Sequence, residues 1–236
     1  QGSTNYAAGG SLLQGNGTAN GLHLLNTRNI EVRDLRLANF LNGVLLQNVS
    51  GATLERLDLY NNATNGLTTT GSSGVRFRNG RVWANRNFGY VCEGLGGDLI
   101  ENCTFWGNAR GAVWTRVGVL VSNSILCATN AMPIFVENGP GASVLGDFNL
   151  YDLAPGAVIG TNTAWQVSYA QLSQWQARGR DLRSFVENPR FVKPASGDFH
   201  LQSRAGYWSN GVWAVSTNTS WAIDAGNPAA AATNEP

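Results

Sequence analysis

Charge, lysine and long apolar runs are all scarce in this 236-residue chain, in which 13% of the residues are charged. Sixteen Lys and Arg residues stand against 15 Asp and Glu, so the formal net charge is +1. A chain so close to neutral lacks the positive field that binding to nucleic acid or to an anionic membrane surface requires. No apolar run approaches the roughly 18 residues of a membrane-spanning helix, and no charged-then-apolar leader resembles a signal peptide. We therefore expect neither a nucleic-acid partner nor membrane insertion.

Cysteine is scarce as well, with residues at Cys92, Cys103 and Cys127. Their odd number and their positions inside apolar stretches are unlike a disulfide framework or a spaced zinc site. In the repeat described below, Cys103 and Cys127 fall in adjacent turns but two positions out of step, which places them about 8 Å apart and beyond disulfide reach. We expect three buried free thiols, no metal site and no cofactor.

Glycine, by contrast, is abundant, at 29 of the 236 positions, and asparagine is nearly as frequent. A glycine followed by an apolar segment recurs with an almost constant stride, at Gly21, Gly43, Gly66, Gly89 and Gly111. Apolar residues alternate within these segments at i and i+2, which is the pattern of β-strands. A leucine-rich repeat has a similar period but needs a helix in each repeat, and no helical pattern occurs between Gly21 and Tyr151. The period predicts an all-β fold, a right-handed parallel β-helix of about six coils stacked about 4.8 Å apart.

Rows of neighbouring residues follow when this stride is applied to every coil. The predicted inward rows include Leu22, Val44, Leu67, Tyr90, Ala112 and Ile134; Leu24, Leu46, Thr69, Cys92, Trp114 and Val136; and Leu37, Leu59, Val82, Phe105, Cys127 and Leu150. Asparagines keep the same stride at one corner, at Asn62, Asn85, Asn108 and Asn130. Because asparagine tolerates the left-handed conformation of a tight corner, we predict a ladder in which each side-chain amide bonds the next.

Three segments of the tail have distinctive sequences, ENPRFV at 187–192, SGDFHL at 196–201 and WAIDAGNP at 221–228. Together with the coil repeat they resemble the pectate-lyase-like right-handed β-helix superfamily, in particular its large secreted bacterial β-helix repeat proteins. The resemblance covers about residues 20–235. It implies an extracellular or cell-surface location within a longer chain. Asn188 and Lys193 stand where that pattern often has aspartate, which argues against a calcium site in the tail.

The chain divides into an incomplete N-terminal coil or linker at residues 1–20, the β-helix at 21–155 and a C-terminal capping segment at 156–236. Ser168 and Gln171 form a capping box, which predicts a short helix from about Tyr169 to Arg178 that stops at Gly179.

The two ends of the predicted rod differ. A Trp-rich stretch containing Tyr207, Trp208, Trp213 and Trp221 is expected to cover the last coil. Nothing comparable precedes the first coil, whose strand edges are left open. We therefore expect preceding coils of a longer chain, or another copy, to stack on that end.

Charged residues on the outside of the predicted coils alternate in sign. The rows are Arg33, Glu55, Arg78 and Glu101, and Arg36, Asp58 and Arg81. Opposite charges that face each other across strands contribute about 0.2–1 kcal/mol per pair, and exposed pairs lie at the low end. We interpret them as pairs that keep the register rather than as a lyase site, because a uronate site needs uncompensated positive charge.

An aromatic stripe is the first candidate binding site. Tyr60, Trp83 and Trp106 keep the stride of the repeat and share the outward parity. Exposed rings bind sugars because the C–H groups of the sugar pack on the π-face while its hydroxyls stay hydrated. Alternatively, these rings stack on one another or lie under the C-terminal helix, which would hide the faces that a sugar needs.

Candidate catalytic residues are few. The resemblance implies lyases with a Lys or Arg base and calcium held by acids, or hydrolases with clustered aspartates, and neither cluster is visible. The best remaining set is Glu93 and Glu137, two coils apart on one outward row through Thr115, with Arg116 beside them. Two coils are about 9.6 Å between backbones, near the roughly 6.5–9.5 Å between the carboxyl groups of an inverting glycosidase.

Two functions remain open. One is a non-catalytic secreted or cell-surface module of a longer extracellular protein, structural or adhesive, with polysaccharide as the candidate partner. The other is a polysaccharide lyase or glycoside hydrolase, for which calcium would be a candidate cofactor. The outer face of the strand after each glycine separates them, since uncompensated acids there favour catalysis and a flush surface of paired charges favours an architectural role.

Overall fold

The computed structural model describes residues 10–128, 132–137, 141–163, 166–209 and 211–229. Its strands, in chain order, are β1 (Ser11–Gln14), β2 (Leu22–Leu25), β3 (Glu31–Arg33), β4 (Leu35–Ala38), β5 (Val44–Gln47), β6 (Thr53–Glu55), β7 (Asp58–Tyr60), β8 (Leu67–Thr70), β9 (Arg76–Arg78), β10 (Arg81–Trp83), β11 (Phe88–Glu93), β12 (Asp98–Glu101), β13 (Thr104–Trp106), β14 (Gly111–Thr115), β15 (Gly118–Ser122), β16 (Ile125–Ala128), β17 (Ile134–Val136), β18 (Ser143–Asp147), β19 (Leu150–Leu153), β20 (Gly160–Asn162), β21 (Val167–Tyr169), β22 (Phe185–Val186), β23 (Phe191–Lys193), β24 (Asp198–Leu201), β25 (Tyr207–Ser209) and β26 (Val212–Ala214). The C-terminal part also holds the helix α1 (Leu172–Gln176) and a 3-10 turn, Pro194–Ser196.

Strands β1 to β22 build three sheets along a rod, in which successive coils add strands, whereas β23 pairs with β24 and β25 with β26 in two separate antiparallel sheets. The first sheet has the order β1-β4-β7-β10-β13-β16-β19-β22, the second β2-β5-β8-β11-β14-β17-β20-β21, and the third β3-β6-β9-β12-β15-β18. Neighbours within these sheets are parallel except β20 and β21. Leu37, Leu59, Val82 and Phe105 are successive partners in the first sheet, which confirms the predicted coil.

A row of glycines allows the coils to stack closely where the chain enters the second sheet. A Cβ atom at Gly43 would lie 2.7 Å from the carbonyl oxygen of Gly66, and one at Gly66 would lie 2.8 Å from that of Gly89. Contacts this short leave no room for a side chain. The row ends at Gly89, whose neighbour in the next coil is Ala112 and not the predicted Gly111.

The strand β14 departs from the predicted stride. Val113, rather than Ala112, is the partner of Tyr90, and the backbone amides of Ala112 and Val113 both donate to one carbonyl oxygen of the next coil. Thr115 therefore takes the inward place predicted for Trp114 and is fully buried. A shift of one residue turns the side chains of a strand to the opposite face, so Trp114 faces outward.

A similar shift affects the first sheet. Phe105 pairs with Leu126, and Leu126 with Tyr151, so the inward places predicted for Cys127 and Leu150 are wrong by one residue. The step from Phe105 to Leu126 is shorter than the step from Leu126 to Tyr151, because the loops of successive coils differ in length.

The asparagine ladder forms as predicted, but its asparagines do not take the left-handed conformation, which falls on the residue before each of them: Asn61, Ala84 and Gly107. Nδ2 of Asn62 donates to Oδ1 of Asn85 at 2.9 Å, and Asn85 donates in the same way to Asn108 at 2.8 Å. All three side chains are buried inside the corner. Asn130, the fourth predicted member, lies outside the described residues.

Both charge rows have the predicted register. Glu55 and Asp58 are buried, and they pair with Arg78 at 3.2 Å and with Arg81 at 2.7 Å, respectively. Arg33 forms its ion pair with a glutamate on its own strand instead of with Glu55. The paired charges support the interpretation that these rows hold neighbouring coils in register.

The three cysteines are free and buried, as predicted. Burial raises the pKa of Cys92 and of Cys103 to about 12, and it also raises the pKa of Cys127. Because the thiolate is the reactive form, we expect a colorimetric thiol reagent at pH 8 to label the native protein slowly and to label all three cysteines in denaturant. Rapid labelling of the native protein would contradict this burial.

The C-terminal helix begins later than predicted. Ser168 and Tyr169 belong to β21, whose antiparallel bonds to β20 replace the predicted first helical turn. The helix starts at Leu172, and Gly179 follows its end with φ +74°, as expected for a glycine stop. Trp175 on α1 is fully buried in the core. Within the described residues, no helix has the length and apolar character needed to cross a membrane.

The tail lies along the side of the first sheet. The rings of Phe199 in β24 and Trp83 are 5.9 Å apart, and Arg81 donates to the carbonyl oxygen of Gly197 at 3.3 Å. The tryptophans of the Trp-rich stretch are exposed: Trp208, Trp213 and Trp221. That this stretch covers the last coil stays a prediction.

At the opposite end, β1, β2 and β3 are edge strands of their sheets within the described residues. Leu13 of β1 belongs to the inward row of Leu37 but is 42% exposed. Stacking of preceding coils or of another copy on this end stays a prediction.

Candidate functional site

A groove of about 550 Å³ lies on the outer face of the second sheet. Its lining crosses the successive strands β8, β11, β14 and β17 and reaches Thr163, just after β20. Four steps between coils span roughly 19 Å along the rod. The groove is therefore long and runs across the coils.

Apolar side chains form the floor of the groove. Val91, Trp114 and Phe135 are successive partners on β11, β14 and β17, so they lie in one outward row. The ring of Phe88 is 6.5 Å from Trp114 and 6.1 Å from Phe135. These residues form a cluster of their own, separate from the core inside the coil. Phe88, Val91 and Trp114 are 4%, 6% and 9% exposed, so the floor presents only part of its apolar surface to the groove. We call these four residues the aromatic floor.

One rim of the groove is a row of charges. Cys92 pairs with Thr115 and Thr115 with Val136, so the residues that follow them, Glu93, Arg116 and Glu137, are successive neighbours on the outer face. The guanidinium of Arg116 lies 2.9 Å from the carboxylate of Glu137 and 3.7 Å from that of Glu93. The pKa of Arg116 is raised, chiefly by its hydrogen bond to Glu137.

The structure thus brings the three predicted catalytic residues together in an order that the sequence does not indicate. A constant stride places Thr115 between the two glutamates, with Arg116 beside the row. The shift in β14 places Arg116 between them instead, and its guanidinium also lies 5.1 Å from the ring centroid of Trp114. Both carboxylates consequently share one cation, which leaves this row of three with a formal charge of −1.

The opposite rim carries amides and a second arginine. Asn65 accepts a hydrogen bond from the backbone N–H of Phe88 at 3.1 Å. In the described part of the chain, Oδ1 of Asn87 is buried without a hydrogen-bond partner. Arg110 lies over Phe88, 5.3 Å from the ring centroid, and has no carboxylate partner among the described residues. The two rims together carry two carboxylates and two guanidinium groups.

No three His, Cys, Asp or Glu side chains among the described residues are close enough together to hold a metal ion.

A sequence model for a family described as a right handed beta helix region matches residues 20–161, more than half of the chain. The chain belongs to the right-handed β-helix family. The match includes the strands that carry the aromatic floor and both glutamates of the rim. No curated protein and no solved structure gave a match. Membership of this family gives the fold of the coil and no ligand. A ligand for the groove has to be inferred from the residues that line it.

The aromatic stripe of this β-helix protein is partly covered, with Trp83 buried and Tyr60 and Trp106 half-buried. Tyr60 and Trp83 stack with centroids 4.6 Å apart, and Phe199 of the tail lies 5.9 Å from Trp83 and 6.2 Å from Trp106. Trp83 is 9% exposed, and its indole N–H donates to Asp58 at 2.8 Å. Tyr60 and Trp83 stack, as in the alternative interpretation, and the ring that packs against Trp83 and Trp106 comes from the tail and not from the C-terminal helix. Sugar binding at this stripe stays a prediction.

The aromatic floor escapes a sequence analysis that gives the repeat a constant stride. With that stride, Trp114 falls in the inward row of Cys92, so it is predicted to lie in the core. The irregularity is visible in the number of residues per coil: the chain advances fewer residues from Thr115 to its partner Val136 than from Cys92 to its partner Thr115.

Proposed function

We propose that this β-helix protein is an extracellular module that binds polysaccharide along the groove of the second sheet, and that it does so without catalysis. The observation that carries the proposal is the aromatic floor, with rings on consecutive coils beneath two polar rims. A binding site that combines apolar rings with a few well-placed polar groups is typical of ligand pockets.

The spacing of the floor suits a chain of sugar rings. Trp114 and Phe135 are direct neighbours on adjacent strands, so their Cα atoms are about 4.8 Å apart along the rod. A polysaccharide that follows the rod would place successive pyranose rings over Val91, Trp114 and Phe135, with C–H groups against the parts of these side chains that stay exposed. The carboxylates, amides and guanidinium groups of the rims would take the hydroxyl groups on either side.

The pairing on the rim favours binding over glycoside hydrolysis. A catalytic pair of carboxylates needs one acid that gives a proton and one base that activates water in the space between them. Here the guanidinium of Arg116 stands between Glu93 and Glu137 and contacts both. Arg116 donates a hydrogen bond to Glu137 and forms an ion pair with Glu93, so the guanidinium occupies the space in which a catalytic water would have to lie.

The first test is the variant Trp114→Ala, examined by calorimetric titration with neutral and acidic oligosaccharides. Loss of the central ring of the floor is expected to weaken binding about tenfold or more, since buried aromatic residues dominate most binding sites. Trp213→Ala is the matched control, because Trp213 is 60% exposed on a hairpin outside the groove. It should bind as the wild type does.

Two outcomes would count against the proposal. If no oligosaccharide in the panel binds at millimolar concentration, the groove is not a glycan site. If Trp213→Ala abolishes binding and Trp114→Ala does not, the glycan binds elsewhere. Melting of each variant by circular dichroism separates loss of binding from loss of fold.

The catalytic alternative has its own test. Wild-type protein is incubated with plant and algal polysaccharides, and the products are assayed for new reducing ends and for the unsaturated sugars that a lyase makes. We expect no products. Products that disappear in Glu93→Gln or Glu137→Gln would replace the binding proposal with an enzymatic one.

A further inference from the structure

We propose that the charges on the rims make the groove select uncharged polysaccharides and reject polyuronates. This inference rests on the proposed function, and it names the substrate class of that site. It is carried by the positions of four charged side chains: Glu93, Arg116 and Glu137 on one rim, and Arg110 on the other.

The two glutamates lie along one rim of the groove. Glu93 and Glu137 lie two coils apart, about 9.6 Å between backbones. The single cation between them, Arg116, is already engaged by both carboxylates. A polyuronate chain lying along the rod carries a carboxylate on every sugar ring, so its charges would approach Glu93 and Glu137 with no free cation on that rim. Rejection of a ligand by like charge is a common source of specificity.

The opposite rim supplies too little positive charge to offset this repulsion. Arg110 lies at one point of that rim, over the ring of Phe88. Its groove-lining neighbours on the same side, Asn65 and Asn87, are neutral amides. One guanidinium group can accept one carboxylate, whereas a uronate chain as long as the groove brings several. The sum of formal charges on the two rims is zero, which suits a neutral ligand.

A neutral glycan meets a favourable partner at each of these positions. Carboxylates accept hydrogen bonds from sugar hydroxyls, guanidinium groups donate to them, and amides do both. The two glutamates therefore serve binding of a neutral chain and oppose an acidic one. They are specificity-determining residues.

The test compares two probes of equal length, a hexasaccharide of β-1,4-linked glucose and a hexasaccharide of galacturonic acid. Titrations are done at low salt with the wild type and with the double variant Glu93→Gln/Glu137→Gln. The wild type is expected to bind the neutral probe at least about tenfold more tightly. In the double variant, Arg110 and Arg116 are both free, and affinity for the uronate probe should rise by about tenfold or more. The gain should shrink at about 0.5 M salt, because salt screens charges on exposed groups.

The control is Glu31→Gln/Glu187→Gln, which changes net charge equally at two exposed glutamates that do not line the groove. It should leave the preference of the wild type unchanged. Binding of the uronate probe by the wild type as tightly as the neutral one would overturn the inference and leave the proposed function standing. An unchanged preference in the double variant would overturn it as well. Failure of both probes to bind would count against the proposed function itself.

Discussion

Replacing Asn85 with alanine is expected to lower the free energy of unfolding by about 4 kcal/mol. Asn85 is 1% exposed, and its side chain serves four partners. Oδ1 accepts from the backbone N–H and from Nδ2 of Asn62, at 3.0 and 2.9 Å, and Nδ2 donates to Asn108 and to the carbonyl oxygen of Leu59, at 2.8 and 3.0 Å. Alanine would remove all four hydrogen bonds. Oδ1 of Asn108 would keep only the backbone N–H of residue 85, at 3.2 Å, and Nδ2 of Asn62 only a long bond to Leu37, at 3.4 Å.

The measurement is urea unfolding followed by circular dichroism, with Asn218→Ala as the matched control. Asn218 is exposed, and its side-chain amide bonds only to the neighbouring Thr217 among the described residues. It should change stability by less than about 0.5 kcal/mol. A loss at Asn85 no larger than that of the control would show that the ladder does not hold the coils together.

Asp98→Ala is expected to lower the free energy of unfolding by a similar amount, about 3–4 kcal/mol, because the buried side chain of Asp98 accepts several hydrogen bonds in the core. Asp98 is 1% exposed and accepts from the hydroxyl of Tyr90 at 2.7 Å, the thiol of Cys92 at 3.0 Å and the backbone N–H of Val75 at 3.0 Å, with the hydroxyl of Thr69 at 3.4 Å. Alanine would remove the acceptor from all four donors. Asp98→Asn keeps the shape and one acceptor oxygen, so its loss should be smaller.

The wild type and Asp98→Asn are also expected to differ in how their stability depends on pH. Burial is the main cause that raises the pKa of Asp98 above its ordinary value of 3.8. The unfolded chain therefore releases this proton at a lower pH than the folded chain does. The stability of wild type relative to Asp98→Asn should fall as pH rises from about 4 to the folded pKa, by at most about 1.4 kcal/mol per pH unit, and then level off. A difference that instead grows with pH over this range would show that the folded state favours the charged carboxylate.

Much of the fold could be predicted from the sequence because successive coils are under the same physical constraints. The glycine row is required by close backbone contact, and the ladder of Asn62, Asn85 and Asn108 by a tight corner that buries polar groups. Both features recur in successive coils of the middle of the rod. The all-β coil and its register through Phe105 follow from them.

The candidate site was only partly readable, because it lies where the repeat becomes irregular. The sequence places Glu93 and Glu137 on one outward row, but the register shift in β14 decides that Arg116 lies between them and that Trp114 joins the floor. A strand has a side-chain period of two, so an error of one residue exchanges core and surface. Whether the rings of the stripe are exposed depends on the path of the tail along the first sheet. That path is set by contacts between residues far apart in the chain, such as that of Trp83 with Phe199.

The most direct test of glycan binding in the groove is a crystal structure of the protein with the neutral hexasaccharide. Density for the sugar is expected along the rod, over Val91, Trp114 and Phe135, with its hydroxyls within hydrogen-bond distance of Glu93 or Glu137. Density on the exposed hairpin of Trp208 and Trp213, or an empty groove at saturating ligand, would contradict the assignment of the groove as the binding site.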